Sequence, residues 1–344
     1  GTASKENYQT ALRSITYHST SEDPTITSSS RTITWEVTDA NSDGAGVGIS
    51  SSVTSTITII ATNDTPVINI DNLSYTENSS EAIIDNTISV NDSDDSHLSG
   101  GKIAISSGFT SGDILTLGYG WGVTGSYNSD TGVLTLSGTS HISDYKQSLR
   151  TITYHSTSDD PTSVLNSRTL TWSLTDANSD EVGAATSTNT SEITLTPSND
   201  PPVISSINTL AYPGSKTVID DNITITDNDD IQLIGGTVSI DSFNDGDGDE
   251  LEFTTFNGIS GSFNSTTGVL TISGTTTLTN YMNSLSNITY YNPTLSSGTR
   301  TLIWNVTDAD SDGSGNATSA DITSIVSFTS GANIPVVTAG GTLS

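Results

Sequence analysis

The sequence has no cysteine, which excludes a disulfide framework, thiolate-bound zinc and thiol catalysis together. Lys and Arg number 9 against 39 Asp and Glu, for a formal net charge of −30. A chain so acidic is repelled by phosphate backbones and by anionic lipid. Nucleic acid is therefore not an expected partner, nor is direct membrane insertion of this segment. No apolar run approaches the roughly 20 residues of a spanning helix, and the opening GTASKENYQT lacks a signal-peptide core. Four histidines leave little material for general-base or zinc chemistry. No enzyme is expected.

Ser and Thr fill about a third of the positions, and charge density is low. That combination raises disorder as a first reading. Short alternating runs rich in Ile, Val, Thr, Tyr and Trp argue against it. Arg31-Thr-Ile-Thr-Trp-Glu-Val37 sets Ile33, Trp35 and Val37 on one face and Thr32, Thr34 and Glu36 on the other, the period of a half-buried strand.

Self-comparison shows a tandem repeat. RTITWEVTDANSD at Arg31 returns as RTLTWSLTDANSD at Arg168 and RTLIWNVTDADSD at Arg300. LRSITYHSTSEDP from Leu12 returns from Leu149, and more loosely from Leu285; ATNDTPVI ending at Ile68 returns as PSNDPPVI ending at Ile204. The expected divisions are 1–66, the C-terminal half of a unit; 67–202 and 203–335, complete units; and 336–344, the start of another. Both ends then cut through a repeat, as in a section of a longer array.

Each unit reads as an all-β sandwich of short strands between Gly, Asn, Asp and Pro turns. One stretch breaks the rhythm. Ile142, Tyr145 and Leu149 recur at helical spacing, as do Leu278, Tyr281 and Leu285, which predicts a short helix plugging one end of each sandwich. Trp35, Trp172 and Trp304 share a strand face with Ile, Leu and Val neighbours, so they are expected in the core rather than on a binding platform.

The aspartates cluster. Asp39-Ala-Asn41-Ser-Asp43-Gly44 recurs as Asp176, Asn178 and Asp180, then as Asp308, Asp310 and Asp312. Alternate oxygens in a tight loop suit a hard cation, which takes six to eight oxygens. No Glu stands at the twelfth position, so the loop is not an EF-hand. A second type, Asp92, Asp94 and Asp95, is matched by Asp227, Asp229 and Asp230. The junctions add Asp64 and Asp200, Glu77 adds a further carboxylate, and Asp245, Asp247 and Asp249 form an unrepeated group. Acids on turns are ordinarily solvated. Here they recur at matched positions with few basic residues to offset them, and close carboxylates repel by about 1 kcal/mol per pair. Bound Ca2+ reverses that sign.

The ordered set Leu73-Ser-Tyr-Thr-Glu-Asn78, Asp92-x-Asp94-Asp95, Tyr145-x3-Leu149-Arg-x-Ile-x-Tyr154, Arg168-Thr-Leu-Thr-Trp172 and Asn199-Asp-Pro-Pro-Val203 resembles a cadherin-like, Ig-type repeat. Such repeats fill giant bacterial surface and secreted proteins, including type I-secreted adhesins and Bap-like biofilm proteins. The resemblance implies an extracellular, calcium-stiffened stalk whose partners are neighbouring repeats of the same chain, with cations at the junctions. It implies Asp64, Asp200, Glu77 and the Asp92 and Asp227 clusters as ligands. The pattern departs in places. Residues 203–335 have no counterpart of Glu77, Ile334 replaces a linker Asp, and RTX nonapeptides are absent. Alternative readings are a filament or surface-layer segment contacting other copies, or a carbohydrate- or protein-binding module using Tyr119 and Trp121.

Overall fold

A computed structural model describes residues 1–179, 181–205, 207–294, 297–311 and 313–328. Asp180, Asp312 and the segment 336–344 lie outside the described residues. The chain divides into two compact units: one holds Gly1–Tyr75, Ser79–Thr157 and Val164–Leu195, the other Thr76–Asn78, Ser158–Ser163 and the chain from Thr196 onward.

The first unit contains an all-β sandwich. One sheet places Leu73–Thr76, Thr186–Thr196, Ser167–Asp176, His97–Ser107, Val133–His141 and Thr124–Asn128 side by side in that order. Facing it are Ala82–Ile83, Ile152–Ser156 and Asp113–Leu117, with Val67–Asn69 paired to Ser89–Asn91. Alternation is strict along Ser167–Asp176, where every second residue from Arg168 is buried. Trp172 sits opposite Ile103 on one side and Asn189 on the other. It is fully buried, and its indole N–H donates to Ser191 Oγ at 2.9 Å. Around it lie Leu98, Leu115, Leu136, Leu149, Ile152 and Tyr154. Each fully buried aliphatic side chain contributes about 1.5–3 kcal/mol.

The second unit repeats the plan. Leu210–Tyr212, Ile322–Phe328, Gly298–Asp308, Gln232–Ile240, Val269–Thr277 and Ser260–Asn264 form its larger sheet. Leu210–Tyr212 runs parallel to Ile322–Phe328, and the other pairings of this sheet are antiparallel. Trp304 is buried and donates to Ser324 Oγ at 2.9 Å.

The expected helices occupy Ile142–Leu149 and Leu278–Leu285. Tyr145 and Leu149, and Tyr281 and Leu285, are buried. The chain enters each helix through a β-bulge. Gly138 has φ +120°, and a side chain there would stand 2.7 Å from the Gly122 carbonyl; Gly274 has φ +135°, with Gly258 O at 2.3 Å. Only glycine fits both demands. The helix tyrosines then donate to the bulge carbonyls, Tyr145 to Gly138 at 2.5 Å and Tyr281 to Gly274 at 2.7 Å. Residues 1–66 carry a third helix, Lys5–Arg13, with no buried residue, and a two-stranded sheet of Ser30–Trp35 and Val53–Thr58. Trp35 is half-buried there, not enclosed as Trp172 and Trp304 are.

Candidate metal centre

Strand Ser89–Asn91 ends in the turn that carries Asp92, Asp94 and Asp95. Asp92 Oδ1 accepts the N–H groups of Asp94 (3.2 Å) and Asp95 (3.1 Å), which folds the turn back on itself. One carboxylate oxygen from each of the three lies within 4.8 Å of the others. Asp94 Oδ2 accepts the N–H of Asp64 at 2.9 Å, and Asp95 Oδ1 that of Ser179 at 2.9 Å. Asp176, wholly buried, is tied to the same linker. Its Oδ2 accepts Asn63 Nδ2 at 2.9 Å and Ala185 N–H at 2.8 Å.

Each member thus spends one side-chain atom on the scaffold. The other oxygens, Asn63 Oδ1, Asp92 Oδ2, Asp94 Oδ1 and Asp95 Oδ2, are buried without a hydrogen-bond partner. A buried unpartnered polar atom costs about 1–3 kcal/mol, more when charged. Such oxygens on three gathered carboxylates, with the Asn63 amide on the adjoining linker, fit a hard cation.

The second unit builds the same arrangement. Asp227 Oδ1 accepts from Asp229 (3.1 Å) and Asp230 (3.0 Å), and Asp230 Oδ1 accepts Ser311 N–H at 2.9 Å. Ligand oxygens of Asp227, Asp230 and Asp308 lie within 4.8 Å of one another. Asn199 Nδ2 donates to Asp308 Oδ2 at 2.9 Å, and Asp200 N–H to Asp229 Oδ2 at 2.5 Å. Asn199 Oδ1, Asp227 Oδ2 and Asp230 Oδ2 are buried and unpartnered.

Glu77 belongs to this unit. Its Oε2 accepts Ser198 N–H at 3.0 Å, while Oε1 is buried without a partner. Burial, followed by the charges of Asp229, Asp160 and Asp200, pushes its carboxyl up to about 7, against the pull of the Ser198 N–H. Asp92 is pushed up to about 6, chiefly by burial and then by Asp94. Burial also raises Asp227. These are carboxylates held where negative charge is poorly solvated.

The pKa directions give a pH prediction for the metal-free protein. Glu77 and Asp92 titrate higher folded than unfolded, so between about 4 and 7 the folded state holds more protons. Stability in chelator should therefore fall as pH rises through that window. Asp85 shifts the other way, and its contribution is lost only below the ordinary aspartate range. A melting temperature in chelator higher at pH 5 than at pH 7.5 is expected. A flat or rising profile would contradict the assignment.

The structure divides the expected ligands differently from their spacing. In the second unit the two cluster types are not separate centres, because Asp308 joins the Asp227 group; in the first unit Asp176 accepts from Asn63, whose neighbour Asp64 donates its N–H to Asp94. The third loop positions serve the loop itself. Asn41, Asn178 and Asp310 adopt φ of 51°, 55° and 55°. Their Oδ1 atoms accept N–H groups of Gly46, Gly183 and Gly315, each at 2.6 Å. Asp39 Oδ1 accepts from Asn41 and Gly48, both at 3.1 Å, and these N–H groups hold its carboxyl below the usual range. Asp43 Oδ1 accepts Ala45 N–H at 3.1 Å.

Among the described residues, Asp245, Asp247 and Asp249 are not one of the carboxylate groups gathered within 4.8 Å. Asp249 is buried against Arg300, whose Nε donates to it at 2.7 Å, and accepts from Tyr290 and Asn292. Asp247 lies 3.7 Å from the same guanidinium, and Asp245 is exposed. The first unit has the same lock in Asp113, Arg168 and Tyr154, at 2.7 Å and 2.6 Å. Asn63, Asn199 and Asp160 are site residues that spacing did not single out. The first two were legible as the invariant partner of the linker Asp in TND and SND.

No family model matches the chain, and no curated protein matches it. Among solved structures it is similar to mouse clustered PcdhgC3 EC1-3, at 14% identity and TM-score 0.33 over 87% of this chain and 77% of that one. It is similar to Drosophila N-cadherin EC1-4 at 12% identity and TM-score 0.30, over 87% of this chain and 57% of that one. Human CDH23 EC21-23 gives 16% identity and TM-score 0.29, over 70% and 66%. The β-sandwich class of each unit stands on its own sheets.

Proposed function

We propose that this chain is a non-enzymatic, calcium-stiffened spacer of a large extracellular adhesion protein, built of cadherin-like repeats. One observation carries the reading: the recurring set of buried, unpartnered oxygens on Asn63, Asp92, Asp94 and Asp95 and on Asn199, Asp227 and Asp230. Ca2+ would be held by these oxygens, and Glu77 Oε1 supplies another near Asp229, Asp160 and Asp200. The cation supplies the positive charge that offsets the gathered carboxylates. The chain supplies the rest. Asn63 and Asn199 tie the segments before each sandwich to Asp176 and Asp308. Asp64 and Asp200 donate backbone N–H groups to the turns.

Linker residues thereby share a charge centre with the sandwich they precede, and binding of metal restrains them. Sites with the millimolar-range affinities of extracellular modules would be filled outside cells. Binding to the folded state alone then adds about 1 kcal/mol per site. No helix among the described residues is long and apolar enough to cross a membrane.

Thermal unfolding and small-angle scattering in millimolar calcium and in chelator test this. Calcium should raise the melting temperature and narrow the distribution of dimensions. Asp95→Asn with Asp230→Asn should weaken both responses. Identical melting and scattering in the two conditions would remove the proposal.

A further inference from the structure

The chain has only four histidines, yet the fold sets two of them side by side. His97 opens strand His97–Ser107, His141 closes strand Val133–His141, and the two are register partners. The register shift between Ser137 and Ser140, at the Gly138 bulge, sets that pairing. Backbone bonds fix the corner on both sides: Ala177 N–H donates to the His97 carbonyl at 3.1 Å, and Ile142 N–H to the Ser96 carbonyl at 2.9 Å. Both imidazoles are exposed, with ring centroids 5.3 Å apart.

Each ring is held at the same atom. His97 Nδ1 lies 2.8 Å from Ser96 Oγ, and His141 Nδ1 lies 2.8 Å from Ser143 Oγ. An imidazole that donates from Nδ1 to a hydroxyl keeps its lone pair on Nε2, the arrangement of a metal-binding histidine. Bonds of about 2.0–2.1 Å to a tetrahedral ion set two coordinating imidazole centroids roughly 5 Å apart. The observed separation fits. His141 Nδ1 also accepts the Ser143 N–H at 3.1 Å, capping helix Ile142–Leu149. Ion binding therefore trades that cap bond for donation to Ser143 Oγ.

The second unit builds this corner without histidine. Gln232 and Thr277 are its register partners, Leu278 N–H donates to the Ile231 carbonyl at 3.2 Å, and Thr277 Oγ1 accepts Asn280 N–H at 3.3 Å. The imidazoles are thus not what the corner needs in order to fold. We propose that His97 and His141 form a two-imidazole site for a divalent transition ion such as Zn2+. Imidazole suits such ions, whereas Ca2+ takes oxygen ligands. Among the described residues no third His, Asp or Glu is gathered with the pair, so water completes the coordination. The net charge of −30 draws cations toward the site. An ion held there ties the start of one strand to the entry of the helix. This rests on none of the calcium chemistry.

The test titrates Zn2+ into the full chain by calorimetry, with millimolar calcium present throughout to occupy the carboxylates, and follows the four histidine ring signals by NMR. One ion per chain should bind. The signals of His97 and His141 should shift while those of His18 and His155 stay. His97→Gln with His141→Thr, the residues the second unit uses, should abolish this binding without lowering the melting temperature measured in calcium alone. Ser96→Ala with Ser143→Ala keeps both imidazoles and should weaken binding about tenfold or more. Zinc binding unchanged in the histidine double variant would overturn the proposal. So would ring signals of the unaltered chain that stay still at saturating zinc, or a stoichiometry of one ion per two chains.

Discussion

Arg168→Leu is expected to destabilise the first sandwich by about 3–5 kcal/mol, the cost of stripping one partner from a buried ion pair. Both side chains of the Arg168–Asp113 pair are 0% exposed. The guanidinium spans Asp113, Thr110 Oγ1 at 2.9 Å and the Leu165 and Ser167 carbonyls. Its removal leaves the Asp113 carboxylate with only the Tyr154 hydroxyl and the Thr110 groups. The equivalent Arg300→Leu should cost less, because that guanidinium is 17% exposed and water can reach the vacated space. Hydrogen exchange at Ile103 and Leu170 would report the first sandwich, and at Val238 and Leu302 the second. Loss of less than about 1 kcal/mol at Arg168 would show that the pair does not hold the sheets together. The double change Arg168→Leu with Asp113→Asn should recover part of the loss, since no unpaired charge then remains.

Trp172→Ala carries the other large effect, about 3–5 kcal/mol. The indole is enclosed by both sheets, and its loss opens a cavity between strands that cannot close without changing register. Trp172→Phe separates packing from hydrogen bonding. It keeps most of the volume but leaves the Ser191 hydroxyl, 5% exposed, without its donor. A cost of about 1–2 kcal/mol is expected for that change. Urea unfolding of the two variants would read both values. Trp35→Ala, at a half-buried position on a two-stranded sheet, should cost far less. A result that ranks Trp35 with Trp172 would contradict the burial described.

Much of this architecture is legible before any coordinates. The period-2 runs, the i, i+3, i+7 pattern of Ile142, Tyr145 and Leu149, and the repeated tryptophan all follow from local spacing, and the strands and helices lie where that spacing puts them. The Asp92 and Asp227 turns are equally local, since their acids are gathered by hydrogen bonds two and three residues apart. What spacing could not assign is the fate of a carboxylate whose partner comes from elsewhere. Asp249 looks like a cation ligand in the run Asp245-Gly-Asp247-Gly-Asp249 until Arg300, on a different strand, is folded against it. Asp176 looks like part of its own loop until Asn63 reaches it across 113 positions. The few basic residues suggested carboxylates without counter-charges, yet two of the nine are spent on Asp113 and Asp249. Asn63 and Asn199 take their roles from Asp176 and Asp308, more than a hundred positions away, which no local pattern encodes.

The bulge glycines bear on how far such beads can diverge. Outward-facing Ser and Thr on the strands carry no packing, so substitution there is nearly free. At Gly138 and Gly274 any Cβ collides with a carbonyl across the bulge, and the tyrosine seven residues on is anchored to the glycine's own carbonyl. Glycine and tyrosine must therefore be inherited together. An array lengthened by duplication and then allowed to drift would lose its surface similarity long before it lost that couple, which makes the pair a ruler for counting beads in a worn sequence.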